Sequence, residues 1–189
     1  MSEKLALYGG HMSVTTPIAK YNPIGTLEAD FVNKCVSKSP LSGYLGGRER
    51  GGEWVQRLED MWANKFGVKH AIAVNSATSG LLAAADAAGL FTGTNFITTP
   101  FSMSATAAAP SFMGSMLVFG DIDYNDFCLD PQRTEDLVKK YAARAIVVTD
   151  LFGSTAQLAD LREISNRLGV FLIEDAAQAI LATENGKYA

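Results

Sequence analysis

The chain has 189 residues, 48% hydrophobic and 19% charged, with a formal net charge of -4. That is enough for one ordinary domain with a sizeable core, and its scattered basic residues give no electrostatic footprint for nucleic acid. No run of eighteen apolar residues offers a membrane span, and the opening MSEKLALYGGHM lacks the apolar stretch of a signal peptide, so a cytoplasmic protein is expected.

In chain order, the first forty-odd residues lack strand patterning and hold one helix over 27–36, so residues 1–42 are expected to form an arm or edge extension. Cys35 lies here and Cys128 far downstream; with no CxxC and only two histidines, both read as buried free thiols. Trp54, Val55, Leu58, Met61, Trp62 and Phe66 recur at three- and four-residue spacing, which predicts a helix stopped by Gly67. HAIAV at 70–74 reads as a strand, followed by an Ala/Leu-rich helix over 78–89 and the strand NFITT at 95–99. The Ala-rich segment from Ser104 contains Pro110, which predicts a kink or a short helix. SMLVF at 115–119 is the next strand, and Asp130 then caps a helix that has Pro131 at its first position. AIVVT at 145–149 follows, then a stripe of Leu158, Leu161, Ile164 and Leu168 closed by Gly169, then FLIED at 171–175. Five strands alternating with helices predict an α/β fold with a parallel sheet.

Two stretches carry chemistry. FLIEDAAQ is an apolar strand that ends in Glu174, Asp175 and Gln178, and open α/β sheets bind ligands at the carboxyl ends of their strands. The turn 75–80, NSATSG, leads from a strand into a helix, where unpaired amides and the helix dipole favour phosphate. On this turn alone, helix capping by Ser76 or Thr78 explains the residues at least as well. Together, a phosphate cup and a buried carboxylate suit a cofactor with a phosphate at one end and a basic ring nitrogen at the other. Pyridoxal phosphate has that form, and Asp175 is the candidate partner of its ring nitrogen.

Two other motifs carry less. The run 121–126 has Asp126 where a calcium loop needs Gly, and Gln132 where it needs Glu. The glycine-rich run 43–52 lacks the following Lys and Ser/Thr of a nucleotide P-loop.

Six segments in matching order, SGYLGG, VQRLEDMWANKFGVKHAIAVNSATSGL, ITTPFSMSAT, VFGDIDYNDFCLDP, AIVVTDLFG and FLIEDAAQAI, resemble the DegT/DnrJ/EryC1/StrS sugar aminotransferases over residues 43–187. The resemblance implies the three-layer α/β/α, mostly parallel sheet of the fold type I pyridoxal phosphate enzymes. Residues 43–189 would form part of its large domain, with the C-terminal small domain absent. It implies that Ala77 and Thr78 hold the cofactor phosphate, with Ser76 beside them among the cofactor-binding residues, that Asp175 pairs with the ring nitrogen and that Gln178 lies near the phenolic oxygen. Met103 stands where the family usually has an aromatic residue stacked on the ring, and a thioether can still lie against a π-face; Phe101 is the nearby aromatic. Tyr44 and Arg48 are placed near the substrate entrance, where Arg48 and Arg50 could meet a nucleotide diphosphate.

The implied activity is transfer of an amino group from glutamate or glutamine to a nucleotide-linked keto sugar or keto-cyclitol, by a homodimer. The family's Schiff-base lysine falls beyond the last residue of this sequence. Lys187, in ENGK, matches a surface turn instead, so the 189 residues alone are expected to be inactive. A sugar dehydratase of the same fold, with histidine in place of that lysine, and a non-catalytic or truncated family member are the alternatives.

Overall fold

A computed structural model describes residues 4–17, 19–38, 41 and 50–188. Contacts within the chain gather into two compact units, Met1–Met61 and Trp62–Ala189.

The first unit carries helix α1, Thr26–Ser37, and the opening of α2, Glu53–Phe66. Glu28 accepts a hydrogen bond from the Gly25 amide at 2.7 Å, which satisfies a donor that the start of α1 leaves free. Arg50 pairs with Glu59 at 3.0 Å and Asp60 at 2.8 Å on α2. Its charge is therefore engaged within its own unit, whereas the sequence offered it to a diphosphate. Tyr44 and Arg48 lie outside the described residues.

The second unit holds a four-stranded parallel sheet in the order β2-β1-β3-β4, where β1 is Asn95–Thr98, β2 Met116–Phe119, β3 Ala145–Thr149 and β4 Phe171–Asp175. Every residue of β3 is buried, as expected of a strand covered on both faces. Alternation along the strands divides the core in two. Phe96, Ala145, Val147 and Ile173 face Leu81, Ala85 and Ala88 of α3, Ala77–Ala87 with its cap, and Ala109 of α4, Ser104–Phe112. Ile97, Ile146 and Val148 face Val138 of α5, Pro131–Tyr141, and Leu161 and Ile164 of α6, Leu158–Leu168. The result is a three-layer α/β/α sandwich.

The helix boundaries follow local chemistry. Asp130 Oδ1 accepts the Arg133 amide at 3.0 Å, with Pro131 opening α5. Gly169, with φ of 69°, closes α6 in the left-handed conformation that glycine adopts without steric penalty. Pro110 falls in the last turn of the nine-residue α4, where it removes one ladder bond, and the helix ends two residues later, so the short-helix alternative holds. The ENGK turn joins β5, Thr183–Glu184, to β6, Lys187–Tyr188, with Asn185 and Gly186 both at positive φ as a two-residue hairpin requires.

One expected strand is corrected. Residues 70–74, HAIAV, join no strand of the four-stranded sheet, and Ile72 and Val74 are 82% and 48% exposed. Alternating β-branched residues make a segment suitable for a strand, but a strand needs a neighbour's ladder, and neither edge of the sheet pairs with this one. Cys128 is buried, and burial pushes its thiol up from the ordinary range; Cys35 is half-buried, and both are free. Among the described residues, no helix is long and apolar enough to cross a membrane.

Candidate cofactor site

The strands' carboxyl ends form one edge of the sheet, and the connections leave it in opposite directions. After β1 the chain enters α4 on one face, while after β3 it enters α6 on the other. Such a divergence opens a crevice between adjacent strand ends.

Asp175 ends β4 beside Thr149 of β3, its partner in the ladder, and is 8% exposed. The two-residue period points it to the face covered by α3 and α4. Its Oδ2 accepts a hydrogen bond from Thr106 Oγ1 on α4 at 2.7 Å, and Oδ1 accepts a long one from the Ala177 amide at 3.3 Å. Thr106 also lies 2.9 Å from Ser102 Oγ, which is 3.1 Å from Thr149 Oγ1. Three hydroxyls from two elements and a loop thus converge behind one carboxylate.

The start of α3 lies on the same edge. Arg144, one residue before β3, donates from Nε to the Ala88 carbonyl at 2.6 Å, which pins the far end of α3 to the opposite, amino edge. An eleven-residue helix is about 16 Å long, close to the rise of a five-residue strand. Its N-terminus therefore returns to the carboxyl edge. Ser76 caps it, with Oγ accepting the Ser79 amide at 3.2 Å, and the Gly80 amide bonds the Ser76 carbonyl at 3.1 Å. The amides of Ala77 and Thr78 precede the helix's own ladder, and Ser76, Ala77 and Thr78 are all exposed. Capping and anion binding are compatible here, because the cap uses a different amide from the two left over.

Between the strand ends, Pro100, Phe101, Ser102, Met103, Leu151, Phe152 and Gln178 line a cavity of about 270 Å³. Met103 precedes α4 and is 66% exposed, so its thioether is accessible. Phe101 packs edge-on against Phe152, 6.2 Å between ring centroids, and lies 6.0 Å from Phe127. The Phe152 amide donates to Gln178 Oε1 at 3.2 Å. An N–H must face an oxygen, so this bond leaves the Gln178 amide nitrogen free to donate elsewhere.

Glu174 does not join this group, although the sequence presents it beside Asp175. Its carboxyl meets Asp150 on the other face, where the buried Asp150 Oδ1 accepts the Ala156 amide at 2.8 Å. Burial first, and then the Asp150 charge, push Glu174 up to about 7. Burial raises Asp150 as well. Asp150 Oδ1 already has a backbone donor, so the like charge beside it favours a proton on Glu174.

Sequence reading missed Ser102, Thr106 and Thr149. The signal lay in FSMSAT, where Ser102 and Thr106 stand four residues apart at the mouth of a helix, and in the last residue of AIVVT.

Residues 45–189 match the DegT/DnrJ/EryC1/StrS aminotransferase family. The chain belongs to that family. Among aminotransferases and related proteins of the family's kind, spore coat polysaccharide biosynthesis protein SpsC of Bacillus subtilis is 36% identical over 148 residues, covering 78% of this chain and 37% of that protein. The L-glutamine:2-deoxy-scyllo-inosose aminotransferase of Streptomyces kanamyceticus is 33% identical over 185 residues, 94% of this chain and 41% of that one. Among solved structures, a GDP-4-keto-6-deoxymannose-3-dehydratase with a trapped PLP-glutamate geminal diamine aligns with a TM-score of 0.77 at 26% identity, covering 89% of this chain and 43% of that one. This family member therefore spans about two fifths of the length of the curated relatives it matches.

Proposed function

We propose that this chain holds pyridoxal phosphate at the carboxyl edge of its sheet, as the cofactor-recognising part of an aminotransferase. The substrate would be a nucleotide-linked keto sugar or a keto-cyclitol, the amino donor glutamate or glutamine, and the working form a homodimer. One observation carries the reading: a buried carboxylate and an exposed helix N-terminus occupy the same edge of one sheet. The residues fit the group's two ends. Two amides at the start of α3 lack partners in the helix ladder, and among the described residues Asp175 Oδ1 has only a long bond to Ala177.

In this reading Ser76, Ala77 and Thr78 bind the phosphate through the helix N-terminus, where the dipole adds to the amides. Asp175 holds a proton at the ring nitrogen. Gln178, its oxygen occupied by Phe152, offers its amide nitrogen to the phenolic oxygen. Met103 lies against one face of the ring, a contact worth ~0.3–1.5 kcal/mol. When bound, the cofactor supplies an electron sink for carbanions. Tyr44 and Arg48 remain the proposed substrate contacts.

The names of relatives that aminate inososes support the substrate class. A second reading, sugar dehydration, has the dehydratase alignment in its favour. The two are separated by supplying pyridoxal phosphate, ¹⁵N-labelled glutamate or glutamine and a nucleotide-linked keto sugar to a form of the protein that also carries the family's lysine or histidine position, and examining the products by mass spectrometry. An aminated sugar carrying ¹⁵N supports transamination. A deoxy sugar without it supports dehydration and overturns the first reading.

A further inference from the structure

Thr106 is fully buried on α4, 69 residues from Asp175 in the chain, and its hydroxyl lies 2.7 Å from Asp175 Oδ2. A carboxylate oxygen only accepts, so Thr106 must donate, and a hydroxyl has one proton to give. The oxygen of Thr106 is then an acceptor for Ser102, 2.9 Å away. Ser102 also lies 3.1 Å from Thr149, whose one proton can go to Ser102 or, at 3.5 Å, to Thr106. The carboxylate at one end thus orders the hydroxyl beside it: Thr106 donates to Asp175, and its oxygen is left to accept from Ser102 and Thr149. Chains of this kind polarise along their length.

We infer that Thr106, backed by Ser102 and Thr149, is a positioning residue that fixes the Asp175 carboxylate for the ring nitrogen of the cofactor. The geometry allows few alternatives for Asp175. Among the described residues its Oδ1 has a single bond, of 3.3 Å, to the Ala177 amide, so Thr106 supplies the shorter of the two restraints. The anchors are rigid ones. Thr149 ends the fully buried β3 and is paired with Asp175 in the ladder, while Ser102 ties the loop after β1 to Thr149 and Thr106. If Oδ2 is held by Thr106, Oδ1 is the oxygen left to meet a cationic N–H, and its aim is set by the torsion that Thr106 fixes. This inference rests on the cofactor reading proposed above.

The experiment measures dissociation constants for two probes on the unsubstituted chain, Thr106→Val, Thr106→Ser and Ser102→Ala. One probe is pyridoxamine phosphate. The other is its 1-deaza analogue, in which carbon replaces the ring nitrogen, so that Asp175 has nothing to pair with. Loss of a hydrogen bond to a charged group is expected to weaken pyridoxamine phosphate roughly 10-fold in Thr106→Val. The deaza analogue should bind Thr106→Val and the unsubstituted chain alike, and Thr106→Ser should restore the pyridoxamine phosphate affinity. Ser102→Ala, a milder change at a half-buried site, should show a smaller loss with the same selectivity, and decides the matter if Thr106→Val does not fold. Equal loss for both probes, or no loss for either, overturns the positioning role while leaving the cofactor reading intact. Failure of the unsubstituted chain to bind pyridoxamine phosphate overturns the cofactor reading itself, and the inference with it.

Discussion

Glu174 and Asp175 are consecutive in the chain and serve opposite faces of one sheet. Asp175 receives the Thr106 hydroxyl on the face of α3 and α4, whereas Glu174 meets Asp150 on the face of α5 and α6. A strand's two-residue period enforces the separation. Only one of the two carboxylates is therefore available to a ligand in the crevice, and the other belongs to the packing behind it.

Glu174 gives a pH dependence of unusual sign. Its folded value of about 7 lies above the ordinary 4.5, so between those values the native state holds a proton that the unfolded chain releases. Stability should fall as pH rises from about 4.5 through 7. Asp150 and Glu184 face the group with like charge, and Arg162 with opposite charge. Glu174→Gln keeps a neutral side chain at every pH, and thermal denaturation should show its stability flatter across this window and higher than the unsubstituted chain's at pH 8. A parallel decline in both proteins would count against a proton held on Glu174.

Glu135 should behave in the opposite sense. Arg167 grips it with two bonds of 2.8 and 2.9 Å across the α5–α6 contact, and Lys139 adds to the pull, holding the carboxyl down at about 2. A depressed value contributes stability above 4.5 that is lost as pH falls toward 2. The difference in melting temperature between the unsubstituted chain and Arg167→Ala should be full at pH 6 and shrink as the pH is lowered through that range. A difference unchanged at pH 2.5 would mean that Arg167 acts by packing alone.

Ser76 has two duties that can be measured apart. Removing its hydroxyl in Ser76→Ala uncaps α3 and should cost about 1 kcal/mol by chemical denaturation, whether or not a ligand is present. Because the amides of Ala77 and Thr78 remain, binding of a phosphorylated pyridine should weaken without being abolished. Loss of binding with no change in stability would assign Ser76 to the ligand and not to the helix.

Much of this architecture was legible in the sequence because its signals were local. Asp130-Pro131 opens a helix, Gly169 closes one, and AIVVT is a continuous buried strand, each decided by residues within one or two turns of the chain. Residues 70–74 show the limit of such signals: their pattern suits a strand, but pairing is a property of the neighbour, which no local pattern specifies. The site followed the same division. FLIEDAAQ and NSATSG announced themselves by position at a strand end and a helix start. Thr106 did not, since its partner lies 69 residues away and only the packing of α4 over β4's face brings them together.

In the proposed site Asp175 and the start of α3 together recognise a phosphorylated pyridine, and titration calorimetry with pyridoxamine phosphate measures that recognition. Saturable binding by the unsubstituted chain is expected, with much weaker binding of pyridoxamine lacking the phosphate and affinity about 10- to 100-fold lower in Asp175→Ala. Absence of saturable binding, or an Asp175→Ala chain that binds as tightly as the unsubstituted one, would contradict it.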